Sequence, residues 1–164
     1  MIRTGIGFDI HRFAAGRKLV LGGVRIKSGP GLAGHSDADV LCHAVMDALL
    51  GAAADGDIGT HFPDNEKRWK DADSLKMLAA VGKKLKNKRM TVVNIDVSVL
   101  AEKPRLAPYR DKMRGKLARA LLLDKARVSI KATTLEGLGA LGRGEGIAAF
   151  AVAGVAQAIP NAKR

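Results

Sequence analysis

Apolar residues alternate with small or polar ones near the start of the chain. Ile6, Phe8 and Ile10 interleave with Gly7, Asp9 and His11, which predicts a strand over 3–11. Leu19-Val20-Leu21 and Val24-Arg25-Ile26 flank Gly22-Gly23 and read as a short hairpin with a glycine turn. Residues 28–34 hold three glycines and a proline and predict a loop. The period then changes. Val40, Leu41, Ala44, Val45, Ala48, Leu49 and Ala52 form a four-spaced apolar band, the pattern of an amphipathic helix. Ser36 is its expected N-cap, with Asp39 three residues on as an approximate capping box.

Residues 55–71 follow neither period and predict a long surface loop, a common seat of function. Asp73 or Asp71 caps a second helix running to about residue 85, with Leu75, Leu78, Ala79 and Leu85 inward. A strand follows over 92–100, with Val93, Ile95, Val97 and Val99 on one side. Pro104 and Pro108 bracket a loop, a basic amphipathic helix covers 109–122, and residues 127–132 form another strand. Residues 147–159 are apolar apart from Gln157 and fit either a helix or a buried strand. These elements predict an α+β fold: a single-domain sandwich over 1–164 with a mixed β-sheet packed on helices.

Composition narrows the class. A chain of 164 residues that is 47% hydrophobic supports one domain with a real core. Its one cysteine excludes an intrachain disulfide framework, and Cys42 reads as a small buried side chain. No run of about 20 apolar residues exists, and the first residues lack a secretory signal's apolar region. The expectation is a cytoplasmic chain with no membrane partner. A net charge of +12 invites a nucleic-acid reading, but its distribution argues against one. Residues 1–73 carry 9 Lys+Arg against 10 Asp+Glu, and residues 74–164 carry 19 against 6. All four histidines fall in the first half, and an aromatic content of 4% leaves few platforms for stacking bases. No nucleic-acid partner is expected.

The chemistry begins at Asp9-Ile10-His11, where residues i and i+2 of a strand point the same way and can reach one ion. Two ligands are an incomplete set, since a catalytic zinc usually has three. His43 on the following helix offers the third, with Asp39 and Asp47 one turn to either side to orient its second ring nitrogen. The same residues would equally make an Asp–His hydrogen bond with an unrelated helix histidine. His35-Ser36-Asp37 precedes the helix, where free N–H groups favour a phosphate, although capping alone explains Ser36. Asp57-Ile58-Gly59 and Phe62-Pro63-Asp64 need only turn chemistry unless they border the histidines. Thr133, Thr134 and Glu136 follow a strand, where hydroxyls and a carboxylate can hold a hard cation bridging phosphates. Gly137, Gly139 and Gly142 match a dinucleotide fingerprint by spacing but lack the adjoining strand and the downstream carboxylate.

Seven stretches in order carry a more specific signal: Gly5 to His11, His35 to Val40, Asp47 to Ala53, Gly56 to Gly59, Phe62 to Asp64, Lys131 to Thr134, and Gly142 to Gly146. Together they resemble the 2-C-methyl-D-erythritol 2,4-cyclodiphosphate synthase family across nearly the whole chain. The resemblance implies a homotrimer with sheets around the axis and active sites at subunit interfaces. It implies Zn²⁺ on Asp9, His11 and His43, completed by a substrate phosphate oxygen, and Mg²⁺ or Mn²⁺ near Glu136. His35, Ser36, Asp57, Ile58 and Gly59 would line the methylerythritol pocket, with Phe62 and Asp64 beside it. Ala101, Pro104, Arg105, Leu106 and Ala107, with Thr133 and Thr134, would hold the cytidine and diphosphate from a neighbouring subunit. His35, Thr134 and Glu136 would contact the reacting groups, and Arg143 would also bind substrate.

The implied reaction is attack of the substrate's 2-phosphate on its own β-phosphorus with release of CMP. Ala140, Leu135, Gly137, Arg105 and the Glu102-Lys103 pair depart from the family pattern, and none of them is a metal ligand. Two other functions compete: a zinc-dependent phosphohydrolase with His35 as base, and a basic RNA-binding module.

Overall fold

The computed structural model describes residues 1–27 and 29–157, so Ser28 of the first expected loop and the last two residues of the 147–159 segment lie outside it. A five-stranded mixed sheet forms the frame. It is ordered β4 (Gly31–Leu32), β1 (Ile2–Ala14), β7 (Gly146–Gln157), β5 (Met90–Leu100), β6 (Val128–Thr133), with β2 (Leu19–Leu21) and β3 (Val24–Ile26) as a separate hairpin. Only the β5–β6 pair is parallel, and its crossover contains helix α4 (Arg110–Ala120). The other α-helices among the described residues are α1 (Val40–Ala52), the four-residue α2 (Ile58–His61), α3 (Ser74–Asn87) and the four-residue α5 (Gly139–Gly142). The α+β expectation is met, with helices on one face of the sheet.

The ambiguous 147–159 segment is a strand as far as Gln157, paired on both sides by β1 and β5. Its alanines matter there. Ala149, Ala151 and Ala153 are almost fully buried and leave room for α1 to lie close to the sheet. On β1 the approach is closer still, because a Cβ at Gly5 would sit 2.1 Å from the Ala48 carbonyl oxygen, and one at Gly7 2.0 Å from that of Ala44. Glycine on the strand and alanine at four-residue spacing on the helix make a seam that no larger residue fits.

Several local expectations fail where tertiary contacts override the local pattern. The N-cap of α1 is Asp39, not Ser36; its carboxylate accepts the Cys42 N–H at 3.1 Å and also those of Gly22 and Gly23 at 2.9 and 2.6 Å. Asp39 therefore joins the hairpin turn to the helix, and burial raises its pKa against the pull of those N–H groups. In β5 a bulge between Val92 and Asn94 turns Val93 partly outward and puts Val92 in the core. In α3, capped by Asp73, Met77, Leu78, Val81 and Leu85 are buried and Leu75 packs partly buried against the core as expected, while Ala79 faces solvent. The expected loop at 28–34 also contains β4, paired with the end of β1.

The opposite face of the sheet is open and apolar. Ile6 is 75% exposed, Phe8 47%, Ile10 50% and Phe150 48%, and the Phe8 and Phe150 rings lie 4.6 Å apart. Among the described residues no helix is long and apolar enough to cross a membrane.

Candidate metal centre and substrate cleft

Side chains at 5, 7, 9 and 11 share one face of β1. The first two are glycines beneath α1. The next two, Asp9 and His11, meet the helix near its N-terminal end, where His43 points back at them. Asp9 Oδ2 lies 2.9 Å from both His11 Nε2 and His43 Nδ1, and the two ring nitrogens are 3.2 Å apart. Three donors around a tetrahedral ion with bonds of about 2.0 Å stand about 3.3 Å from one another. The triad thus has nearly the spacing of such a ligand set, and its atoms form the group of potential ligands found among the described residues.

The electrostatics tie the three groups into one coupled cluster. Burial alone would raise the Asp9 pKa, but hydrogen bonds and charge from His11 and His43 hold the carboxyl well below its usual range. Burial works to lower the His43 pKa, and the hydrogen bond and charge of Asp9 outweigh it, leaving the imidazole above its ordinary value. Asp39 and Asp47 do not orient the second nitrogen of His43 as the spacing predicted. Asp39 caps the helix, and Asp47 accepts the Ile58 N–H at 2.8 Å. The Ser36 and Ser74 hydroxyls stand there instead, each 3.1 Å from His43 Nε2.

The triad lines an open cleft of about 480 Å³. His35, Ser36, Ile58, Gly59, Phe62 and Asp64 are among the residues that line it. Asp57 is not among the lining residues; its carboxylate caps α2 by accepting the Thr60 N–H and hydroxyl at 2.8 Å. Asp47 and Pro63 also line it, as do Asn65, Trp69 and Met77, which the sequence did not single out. Trp69, the chain's sole tryptophan, packs edge-on against Phe62 with centroids 4.9 Å apart. A lone tryptophan in an aperiodic, charged segment was the available signal for it.

A second cleft, of about 450 Å³, gathers Ala101, Pro104, Arg105, Leu106, Ala107, Thr133 and Thr134. Glu136 lies beyond its lining and receives the Thr134 hydroxyl hydrogen bond. Arg143 lies in neither cleft; it borders a third, of about 490 Å³, and donates to Glu145 at 2.6 Å. Within one chain the predicted metal and nucleotide residues therefore form separate surfaces.

A family model described as the YgbB family matches residues 2–156. The chain belongs to the YgbB family. It is 57% identical over 152 residues to the 2-C-methyl-D-erythritol 2,4-cyclodiphosphate synthase of Pelotomaculum thermopropionicum, covering 93% of this chain and 94% of that one. It is 58% identical over 151 residues to the enzyme of that name from Desulforamulus reducens, covering 92% and 96%. Among solved structures, the bifunctional IspDF from Campylobacter jejuni superposes with a TM-score of 0.91 at 42% identity, covering 94% of this chain and 42% of that longer one. The CDP complex of IspF from Plasmodium falciparum superposes at 0.84 and 31%, covering 96% and 97%. The family's fold and the triad thus occur together in this YgbB-family chain, with Asp9 and His11 on the face of β1 that the glycine seam brings under α1 and His43 on that helix.

Proposed function

We propose that this chain is a 2-C-methyl-D-erythritol 2,4-cyclodiphosphate synthase, which closes 4-diphosphocytidyl-2-C-methyl-D-erythritol 2-phosphate to the cyclic diphosphate and releases CMP in non-mevalonate isoprenoid precursor synthesis. The observation that carries the reading is the convergence of Asp9, His11 and His43 on a substrate-sized cleft, in a chain more than half identical to enzymes of that name. The 2-phosphate oxygen forms a bond to the β-phosphorus as the bond to the CMP oxygen breaks. Both reacting groups are anionic, so the barrier is electrostatic and orientational, and folding one molecule back on itself makes the attack intramolecular.

Two nitrogens and one carboxylate oxygen at tetrahedral spacing suit zinc with a fourth position for substrate. Glu136 with Thr134 suits Mg²⁺ or Mn²⁺, which binds through one or two carboxylates and substrate phosphates. When bound, these ions neutralise and align the phosphates as Lewis acids. The chain supplies the rest. Ile58, Gly59, Phe62 and Asp64 enclose the methylerythritol unit, and exposed His35 reaches the phosphate at the cleft mouth. Arg105 and the Thr133 and Thr134 hydroxyls take the diphosphate and nucleotide, with Ala101, Pro104, Leu106 and Ala107 around the base and ribose.

Separate clefts on one chain need a neighbour to meet. The open apolar face at Ile6, Phe8, Ile10, Phe150 and Val152 supports a homotrimer packed through these sheets, with the second cleft of one subunit facing the first of the next. The test is product identification after incubation with the cytidylyl substrate, Zn²⁺ and Mg²⁺. Cyclic diphosphate with CMP is the expected outcome. A linear phosphate product with CMP would instead mean hydrolysis, and no turnover with both metals present would sink the assignment.

A further inference from the structure

The three metal-facing atoms leave one question open: what fixes the proton on His43, whose Nδ1 must present a lone pair to bind an ion. Ser74 is the first residue of α3 and is fully buried. Its hydroxyl donates to Asp37, which also accepts the Ser74 backbone N–H at 3.1 Å. A hydroxyl has a single proton. With that proton committed to Asp37, Ser74 Oγ turns a lone pair toward His43 Nε2 at 3.1 Å. Ser36 Oγ, also 3.1 Å from Nε2, takes the Ala38 N–H at 3.2 Å. Asp37 is itself fixed, its own N–H bonded to the Ala72 carbonyl at 3.0 Å.

We propose that Ser74, held by Asp37, is a positioning residue that keeps the proton of His43 on Nε2 and aims Nδ1 at the ion. The inference rests on the metal-centre reading above. The direction of the Ser74–Asp37 bond decides it. A serine with a free hydroxyl could donate to Nε2 and push the proton to Nδ1, where it would block the ligand position. Asp37 removes that choice. Ser36, whose hydroxyl proton has no such acceptor among the described hydrogen bonds, can turn either way toward Nε2 and so does not fix the tautomer by itself.

The experiment measures Zn²⁺ affinity of the whole chain by competition with a chromophoric chelator, for wild type, Ser74→Ala, Ser74→Thr and Ser36→Ala. Losing a partner of a metal-bound histidine weakens binding about 10–100-fold. Ser74→Ala should show a loss in that range, Ser36→Ala a smaller one, and Ser74→Thr, which keeps the hydroxyl, should recover most of it. In the zinc-loaded protein, nitrogen NMR of the His43 ring should show a slowly exchanging Nε2–H in wild type and faster exchange in Ser74→Ala. Equal zinc affinity in wild type and Ser74→Ala overturns the positioning role alone. Equal losses in Ser74→Ala and Ser74→Thr also overturn it, since packing and not the hydroxyl would then matter. A wild-type chain that takes up no zinc overturns the metal reading, and this role with it.

Discussion

The cleft at Asp9 and the cleft at Thr133 are built from different materials. Around the first, His43 is 9% exposed, Ser36 7% and Ser74 not at all, and each polar group meets another from a different element of the same chain. Around the second, Arg105, Thr133, Thr134 and Glu136 are exposed, on loops and a strand end, with few hydrogen bonds to hold them. The contrast separates two kinds of site. On the proposed reading, an ion would need donors preorganised to fractions of an ångström, which a packed helix on a strand supplies, whereas a nucleotide at a subunit boundary would be enclosed only when the neighbour arrives.

The largest effect should come from the preorganised side. His43→Ala removes one of three donors, and losing metal-ion stabilisation of several kcal/mol predicts a fall in kcat/KM of about 1,000-fold or more. The zinc content measured on the same preparation should fall with it, and unfolding should stay cooperative. Retained activity would remove His43 from the site and erase the contrast.

Mixing tests the contrast directly. Thr134→Ala damages only the second cleft and His43→Ala only the first. If each active site joins the first cleft of one subunit to the second of the next, a trimer containing both variants has one intact junction in three. Random assembly from equal parts makes about three-quarters of the trimers mixed, so activity should return to about a quarter of wild type after co-refolding. Recovery no greater than the parents would mean that each chain completes its own site.

The frame beneath the first cleft is the next target. Asp39 is fully buried and accepts three backbone N–H groups. Asp39→Ala leaves those donors without partners, a loss of about 3 kcal/mol, read as a lower urea midpoint at unchanged slope. A shift below about 1 kcal/mol would show that water or a rearranged turn replaces the carboxylate.

These residues also mark where the sequence was legible. Period two and period four gave β1 and α1, and the shared parity of 9 and 11 gave two members of the triad, because such signals are local. The helix N-cap went to Asp39 over Ser36 because the hairpin turn brings two N–H donors to it from 16 and 17 residues away. Helical spacing offered Asp39 and Asp47 as supports for His43. Ser74, 31 residues distant, fills that place, and no local pattern points to it. The strand assignment of β7 likewise depended on two neighbours, β1 and β5, for which a run of alanines carries no signature. The residues proposed to hold substrate in the second cleft came from resemblance to a family, since loops and strand ends have no period to read.

The smallest effect is predicted where the second cleft does have an internal tie. Glu102 accepts the Leu135 N–H at 2.7 Å, joining the loop after β5 to the loop after β6 that carries Thr134 and Glu136. The bond is only partly buried, so Glu102→Ala should cost about 1 kcal/mol or less in global stability. Its local consequence should be larger than its global one. With the tie gone, the Leu135 amide should exchange with solvent several-fold faster, while amides in α1 keep their rates. Glu102→Gln, whose amide oxygen still accepts, should restore the slow exchange. If Leu135 is equally protected in all three chains, the loop is held by its own turn geometry and Glu102 contributes only its charge.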